Sequence, residues 1–320
     1  MSVWRISVLQ QVEVSMAAQR VQAEDCLAFI RDAIMRACPA AGNYPVSSVP
    51  GLRFHCQRSG GGMRPLFYEP LAILVAQGAK AVEIGGEKLR YGPGVCFLCG
   101  IDMPVSSCVV EASPEEPFLA LSLSMDVSLA AELAAKMPPF PHDGMHFSGA
   151  ATQAAEPNLL DAFARLVELV EHPAPALDGL VLREIYYRLL SSPFGSVLRS
   201  LTTLGSHGNR VSRAIAWLKE NYTKPFAVES LAEVVHMAPS TFHKYFKEIT
   251  SVSPLQFQKR LRLDEARRLM LAEGYDVTRA ALAVGYESST QFIREYKRLF
   301  GDPPKRSISG IKNTVKDANQ

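Results

Sequence analysis

Ala280-Ala-Leu-Ala-Val-Gly-Tyr286 and Thr290-Gln-Phe-Ile-Arg-Glu-Tyr296 repeat, at offsets of 49 and 50 residues, the stretches Leu231-Ala-Glu-Val-Val-His-Met237 and Ser240-Thr-Phe-His-Lys-Tyr-Phe246. Each half reads as helix, turn, helix, and the second turn is one residue longer. Small residues (Ala232, Ala281) let the second helix cross the first closely. Aromatic residues at i and i+4 (Phe242 and Phe246; Phe292 and Tyr296) fill the crossing. The other face of each second helix is polar, and a helix packed on one side only is what a DNA major groove about 12 Å wide admits.

The chemistry of the boundaries supports this reading. Ser253-Pro254-Leu255-Gln256 offers an N-cap hydroxyl, proline at the first helical position and glutamine at N3, a capping box that starts a connecting helix. That helix is expected to run to about Leu271, some 17 residues or roughly 25 Å. With its end turns it would hold two recognition helices about one DNA turn, ~34 Å, apart. Ser288 with Gln291 predicts a second capping box, and Gly301 followed by Asp302-Pro303-Pro304 predicts the stop of the last recognition helix.

Over about Arg210 to Pro304 these features resemble the AraC/XylS family of bacterial transcription activators. The resemblance is carried by the paired units, by SVSPLQFQKRLRLDEARRLML as the connecting segment and by AVGYESSTQFIREYKRLFGDPP as the closing signature. It implies base-reading positions at Ser240, His243 and Lys244 on the first recognition helix, and at Ser289, Thr290, Gln291 and Arg294 on the second. The chemistry is compatible, since Arg294 could bond bidentately to guanine and Gln291 to adenine. Two positions depart from the family pattern: His236 stands in the turn slot filled by Gly285, and Ser251 where glycine is usual. Histidine tolerates positive φ less well than glycine, so modest strain is predicted at the first turn.

Composition bounds the rest. The 320 residues, 48% of them apolar, supply two hydrophobic cores. A net charge of +2 hides an asymmetry: from His207 onward there are 19 Lys and Arg against 12 Asp and Glu, so the basic half is C-terminal and suits a polyanion. The longest apolar stretches, such as Leu71 to Ala76, fall far short of the ~20 residues of a membrane span. The opening MSVWRISVLQQVEVS does not read as an export signal. The expectation is a cytoplasmic protein without membrane contact, associated with the nucleoid when on DNA.

Residues 45 to 125 are broken by Gly or Pro every eight to twelve residues, and the segments between them (LAILVAQG, KAVEIGG, EKLRYG, GVCFLCG, FLALSLSM) read as antiparallel strands of a small barrel or sandwich. Gly85-Gly86 would close a hairpin. Ala23 to Ala37 and Leu159 to Val170 read as amphipathic helices; the stripe Leu159, Phe163, Leu166, Val170 could serve a dimer contact or pack internally. Gly179 onward gives another helix, after which Leu204 to Asn209 loses periodicity. The fragments RPLFYEP (64 to 70), Gly92-Pro-Gly94 and REIYYRLL (183 to 190) are similar to the cupin-like front domain found in this family, which implies an effector-binding or dimerising role.

The fold class expected is therefore α+β. An N-terminal cupin-like β-barrel (about 45 to 125) plus helices (about 126 to 200) makes an effector domain over 1 to 203. A linker at 204 to 209 leads to an all-α DNA-binding domain of two helix-turn-helix units over 210 to 308, and a flexible tail takes 309 to 320. The expected partners are double-stranded DNA, RNA polymerase, an unidentified small-molecule effector and a second copy of the chain in a homodimer.

Enzymatic readings find less support. The cysteines (26, 38, 56, 96, 99 and 108) are confined to about the first third of the chain and read as reduced thiols. Cys96 and Cys99 form a CxxC on a strand, where residues three apart face opposite ways, so a shared metal or disulfide is not expected. One of Cys96, Cys99 and Cys108 could be a reactive sensor thiol; buried small hydrophobes are the alternative. A cysteine-based DNA repair or redox-reactive protein built on the same DNA-binding module is the alternative function, but no Pro-Cys-His-Arg acceptor motif is present. A cupin metal site would need clustered ligands; His55 is isolated among the strands, and His142 and His146 fall in a Pro-rich loop. No catalytic residue, metal or cofactor is expected.

Overall fold

The computed structural model describes residues 2–138, 148–193 and 195–317; His142 and His146 lie outside them. The chain opens with a helix, α1 (Ser2–Ala37), and nine strands follow: β1 (Gly42–Pro45), β2 (Leu52–Gln57), β3 (Arg64–Tyr68), β4 (Leu71–Gln77), β5 (Ala79–Ile84), β6 (Glu87–Tyr91), β7 (Val95–Cys99), β8 (Met103–Glu111) and β9 (Phe118–Ser124). After α2 (Val127–Ala134), a tenth strand, β10 (Ala150–Ala154), returns to pair antiparallel with β7. The strands form a six-stranded sheet in the order β1-β2-β9-β4-β7-β10 and a four-stranded sheet in the order β3-β8-β5-β6. The hairpin between β5 and β6 turns on Gly85 and Gly86, at φ 60° and 91°, as its Gly-Gly pair predicts.

Strand alternation divides the interior. Cys96 and Leu98 of β7 face one core with Leu74, Leu119 and Leu121, which is covered by α1 and by α3 (Pro157–Glu171) and α4 (Pro175–Ser191). Phe97 and Cys99 face the other way, toward Tyr68, Val82 and Phe118. The stripe on α3 is turned inward, with Leu159, Phe163 and Leu166 fully buried and α1 packed against the helix. It is not a free dimer surface.

The helices that follow are α5 (Gly195–Thr202), α6 (His207–Asn221), α7 (Val228–Val234), α8 (Pro239–Thr250), α9 (Pro254–Ala272), α10 (Val277–Ala283), α11 (Ser289–Phe300) and α12 (Pro304–Asp317). Two expected boundaries move. The linker is shorter than 204 to 209, because the Ser206 hydroxyl accepts from the Asn209 N–H and caps α6 from His207. The stretch from 309 is not a loose tail as far as 317: Pro304 occupies the first turn of a helix, so the Pro pair that ends α11 also begins α12. Among the described residues no helix is long and apolar enough to cross a membrane.

The second core is shared between the two halves of the chain. Val82, Phe97 and Phe118 of the sheets belong to the same buried cluster as Ile215, Leu218, Leu231, Phe242, Phe246 and Phe257 of the helices. The second helix-turn-helix unit has a core of its own, built on Leu263, Met270, Val284, Phe292 and Tyr296. Lys219 of α6 bridges to the front half, with its Nζ 2.6 Å from Asp102 and 3.5 Å from Glu69.

Candidate nucleic-acid interface

The two helix-turn-helix units close their turns identically. In the first, the Met237 N–H donates to the Ala232 carbonyl at 2.9 Å and the His236 N–H to Glu233 at 3.0 Å; in the second, Tyr286 donates to Ala281 and Gly285 to Leu282, both at 3.0 Å. These paired bonds are a Schellman motif, which requires a left-handed residue between them. His236 (φ 55°) and Gly285 (φ 83°) supply it, and Ser251 (φ 64°) does the same at the end of α8. Both glycine substitutions read in the sequence therefore hold positive-φ backbone, with the strain that implies for a residue with a Cβ.

Behind the turns, aromatic rings fill the crossings. Phe242 meets Phe246 at 5.4 Å between centroids, Phe246 meets Phe257 at 5.5 Å, and Phe292 lies between Tyr286 (5.3 Å) and Tyr296 (5.6 Å). Such edge and tilted contacts add to the area these rings remove from water. With these residues inward, α8 presents Ser240, His243 and Lys244 to solvent, and α11 presents Thr290, Gln291 and Arg294; Ser289 is half-buried. The seven predicted positions thus fall on two helices, six of them exposed. Lys244 lies 5.4 Å from the Tyr245 ring centroid, and Tyr245 stacks on His207 at 3.8 Å. Gln291 is partly committed, since its Nε2 donates to the Glu295 carboxylate at 3.3 Å. For the same reason the second capping box is only half formed: Ser288 accepts from the Gln291 N–H, but the Gln291 side chain turns away to Glu295. The box at Ser253 and Gln256 is complete.

Sequence reasoning passed over Lys247, Ile293, Lys297 and Arg298, which are exposed on the same two helices. Helical spacing could have found them, since Ile293, Arg294 and Lys297 lie three, four and seven residues after Thr290. Ile293 offers an apolar group of the kind that contacts a thymine methyl, and the cations are of the kind that meets phosphates.

The relative setting of the two units is fixed by α9. The Arg262 guanidinium donates to the Tyr222 carbonyl at 2.6 Å, to Thr223 at 3.1 Å and to Gly285 at 3.0 Å, tying the end of α6 to the turn of the second unit. Gln258 adds bonds to Tyr222 (3.0 Å) and Lys224 (2.6 Å). Gly285 sits so close to this junction that a Cβ there would come within 2.1 Å of the Thr223 carbonyl oxygen. Buried Glu295 on α11 accepts from Lys259 (3.0 Å) and Tyr286 (2.8 Å). Burial pushes its carboxyl up, yet the bonds from Lys259, Tyr286 and Gln291 outweigh that and hold it below the ordinary carboxylate range.

The cysteines are placed away from this face. Cys96 and Cys99 are fully buried on opposite faces of β7, and burial pushes both thiols up to about 12, which leaves almost no thiolate at neutral pH. Cys108 is half-buried. Among the described residues no group of His, Cys, Asp and Glu could hold a metal ion.

Residues 48–197 match the family described as AraC-type transcriptional regulator N-terminus, and residues 231–308 match a helix-turn-helix domain. Among curated proteins, the HTH-type transcriptional activator RhaS of Salmonella paratyphi A is 28% identical over 152 residues, covering 46% of this chain and 54% of the relative. The HTH-type transcriptional regulator ExsA of Pseudomonas aeruginosa is 30% identical over 160 residues, covering 49% and 56%. The chain thus spans about half the length of the curated relatives it matches. Among solved structures, ToxT of Vibrio cholerae with an unsaturated fatty acid bound superposes with a TM-score of 0.54 at 11% identity, over 85% of this chain and 96% of that one. A 1.65 Å ToxT structure gives 0.55 at 12% identity, over 80% and 96%. At these identities the likeness is one of fold.

Proposed function

We propose that this chain, which belongs to the AraC/XylS family of transcription regulators, is a sequence-specific DNA-binding activator whose front domain controls its DNA-binding half in response to a small-molecule effector. The observation that carries the reading is the pair of cored helix-turn-helix units, with polar faces outward and a separation fixed by Arg262. Residues 210 to 308 act as the DNA-binding domain and 1 to 203 as the effector domain. Ser240, His243 and Lys244 meet one major groove of double-stranded DNA; Ser289, Thr290, Gln291 and Arg294 meet the next. The RhaS and ExsA likenesses support a regulator of transcription, and the fatty acid in ToxT supports control by a small ligand. Contact with RNA polymerase follows from the activator role. A homodimer is supported by the exposed apolar residues Leu177, Leu180 and Tyr187 on α4. The protein would act in the cytoplasm, on the nucleoid when bound. It needs no catalytic group.

Footprinting of the purified chain on the DNA flanking its own gene, at several salt concentrations, tests the reading. Protection of two grooves one turn apart, with affinity falling steeply as salt rises, is the expected result. Arg294→Ala should cost about 1 to 3 kcal/mol of specific binding, while stability changes within about 0.5 kcal/mol. Protection without sequence preference, or equal affinity of parent and variant, would count against it.

A further inference from the structure

A cavity of about 360 Å³ opens between the two helix-turn-helix units. Ser251 and Val252 line it from the end of the first unit, Lys259 and Arg260 from α9, and Arg298 and Leu299 from α11. None of its residues is one of the seven predicted base-reading positions. Its size suits a small organic ligand.

Arg260 is the most informative. Lys259, Arg260, Arg262, Arg267 and Arg268 are the cations of α9, and the others are all engaged. Lys259 pairs with Glu295 at 3.0 Å, and Arg268 with Glu265 and Glu273. Arg262 holds three carbonyls, and Arg267 lies 4.8 Å from the centroid of the Phe300 ring. Among the described residues no carboxylate stands within ion-pair distance of Arg260 or of Arg298. Burial holds the Arg260 pKa below the ordinary arginine value, an effect that Asp264 opposes and the nearby Arg298 reinforces. A guanidinium nevertheless stays charged at neutral pH. Two neighbouring guanidiniums, one of them half-buried and neither paired, face a cavity at a cost that an anion would offset.

The lining says which anion. Lys259, Arg260 and Arg298 stand against the single carboxylate of Glu295, an excess of two positive charges. Glu295 is already engaged by Lys259, Tyr286 and Gln291. Gln256, whose side-chain carbonyl accepts from the Ser253 N–H, keeps its amide N–H groups as further donors. A phosphate monoester carries nearly two negative charges at pH ~7 and takes the bidentate fork of arginine. Val252, Leu263 and Leu299 supply apolar surface beside the cations.

We propose that this cavity is a ligand site within the DNA-binding half and takes a small phosphorylated molecule, with Arg260 and Arg298 gripping the phosphoryl group and the apolar residues covering its organic body. The occupant bridges the end of the first unit and the recognition helix of the second, and so steadies α11 against α9. That consequence for DNA rests on the regulator reading; the binding chemistry does not.

The test titrates the full chain calorimetrically, without DNA and at fixed ionic strength, with phenyl phosphate and with the monoanion benzoate. Charge-assisted hydrogen bonds predict a preference of roughly ten- to a hundred-fold for phenyl phosphate. Arg260→Gln and Arg298→Gln should each lower its affinity about ten-fold or more, whereas Arg306→Gln, a cation paired with Asp302 outside the cavity, should leave it unchanged. Arg298→Gln, at an exposed position, carries the test should Arg260→Gln fail to fold. Equal binding of the two anions, or a phenyl phosphate affinity unchanged in the folded variants, would overturn the proposal. So would a parent that ignores phenyl phosphate while the two variants flatten the salt dependence of duplex DNA binding, since the DNA backbone would then be the occupant. Footprinting is a separate readout: a chain that fails to protect DNA leaves this result standing, and one that protects DNA without binding phenyl phosphate loses only the cavity.

Discussion

The ring of Phe67 on β3 meets the ring of Phe257 on α9 edge-on, with centroids 5.3 Å apart and planes at 74°. Phe257 in turn contacts Phe246 of the first recognition helix at 5.5 Å. A continuous line of aromatic packing therefore runs from the four-stranded sheet to a helix proposed to read DNA.

Phe257→Ala is expected to cost about 3 to 5 kcal/mol, since the side chain is fully buried. A double-mutant cycle with Phe67→Ala should give a coupling of about 0.5 to 1.5 kcal/mol by denaturant unfolding. Strict additivity would mean that the two halves of the chain do not pack as described.

Gly285→Ala should destabilise by more than about 2 kcal/mol, because it adds both a positive-φ penalty and an approach of 2.1 Å to the Thr223 carbonyl. His236→Gly should have the opposite sign, a gain of up to about 1 kcal/mol, as it relieves the matching position of the first unit. Comparing denaturation midpoints of the two variants decides the point; a Gly285→Ala variant as stable as the parent would refute the close junction.

Asp264 on α9 is raised to about 6 by burial, which outweighs Arg267 and Arg260. The folded chain thus holds this proton more tightly than the unfolded chain, so stability falls as pH rises from the ordinary carboxylate range through about 6. Asp264→Asn should raise the melting temperature near neutral pH and do little near pH ~4. A shift equal at both pH values would contradict this account.

Maleimide labelling of the native protein, read by mass spectrometry, should reach the half-buried Cys26 and Cys108 and spare Cys96 and Cys99. Modification of either β7 thiol without unfolding would restore the sensor reading for that residue.

What could be read in the sequence was local. The capping box at Ser253, the Gly85-Gly86 hairpin and the positive-φ slots at 236 and 285 are each set by a few adjacent residues, and each stands where the sequence puts it. β10 was not legible, because Ala150–Ala154 has little strand character of its own and is held by pairing with a strand about fifty residues earlier. The shared core was equally hidden: Phe257 reads as a helix-packing residue, and nothing nearby says that its neighbour is Phe67. Lys80, whose ammonium donates to the Tyr68 hydroxyl, was within reach, since it shares a strand face with the buried Val82 and Ile84, which marks it as inward-facing. It passed unnoticed because a charged residue in a strand is ordinarily taken as solvated.

Arg262 makes the half proposed to bind DNA a ruler of set length. It bonds the Tyr222 and Thr223 carbonyls just after α6 and the Gly285 carbonyl in the turn of the second unit, and so opposes sliding or swivelling of that unit about α9. One base pair inserted between two half-sites adds about 3.4 Å and turns the second by about 34 to 36°. A protein whose reading helices are so clamped must make the DNA absorb that mismatch by bending or untwisting, at a cost of a few kcal/mol. On the proposed function, the DNA targets of this chain should accordingly be strict in spacing even where they are permissive in sequence.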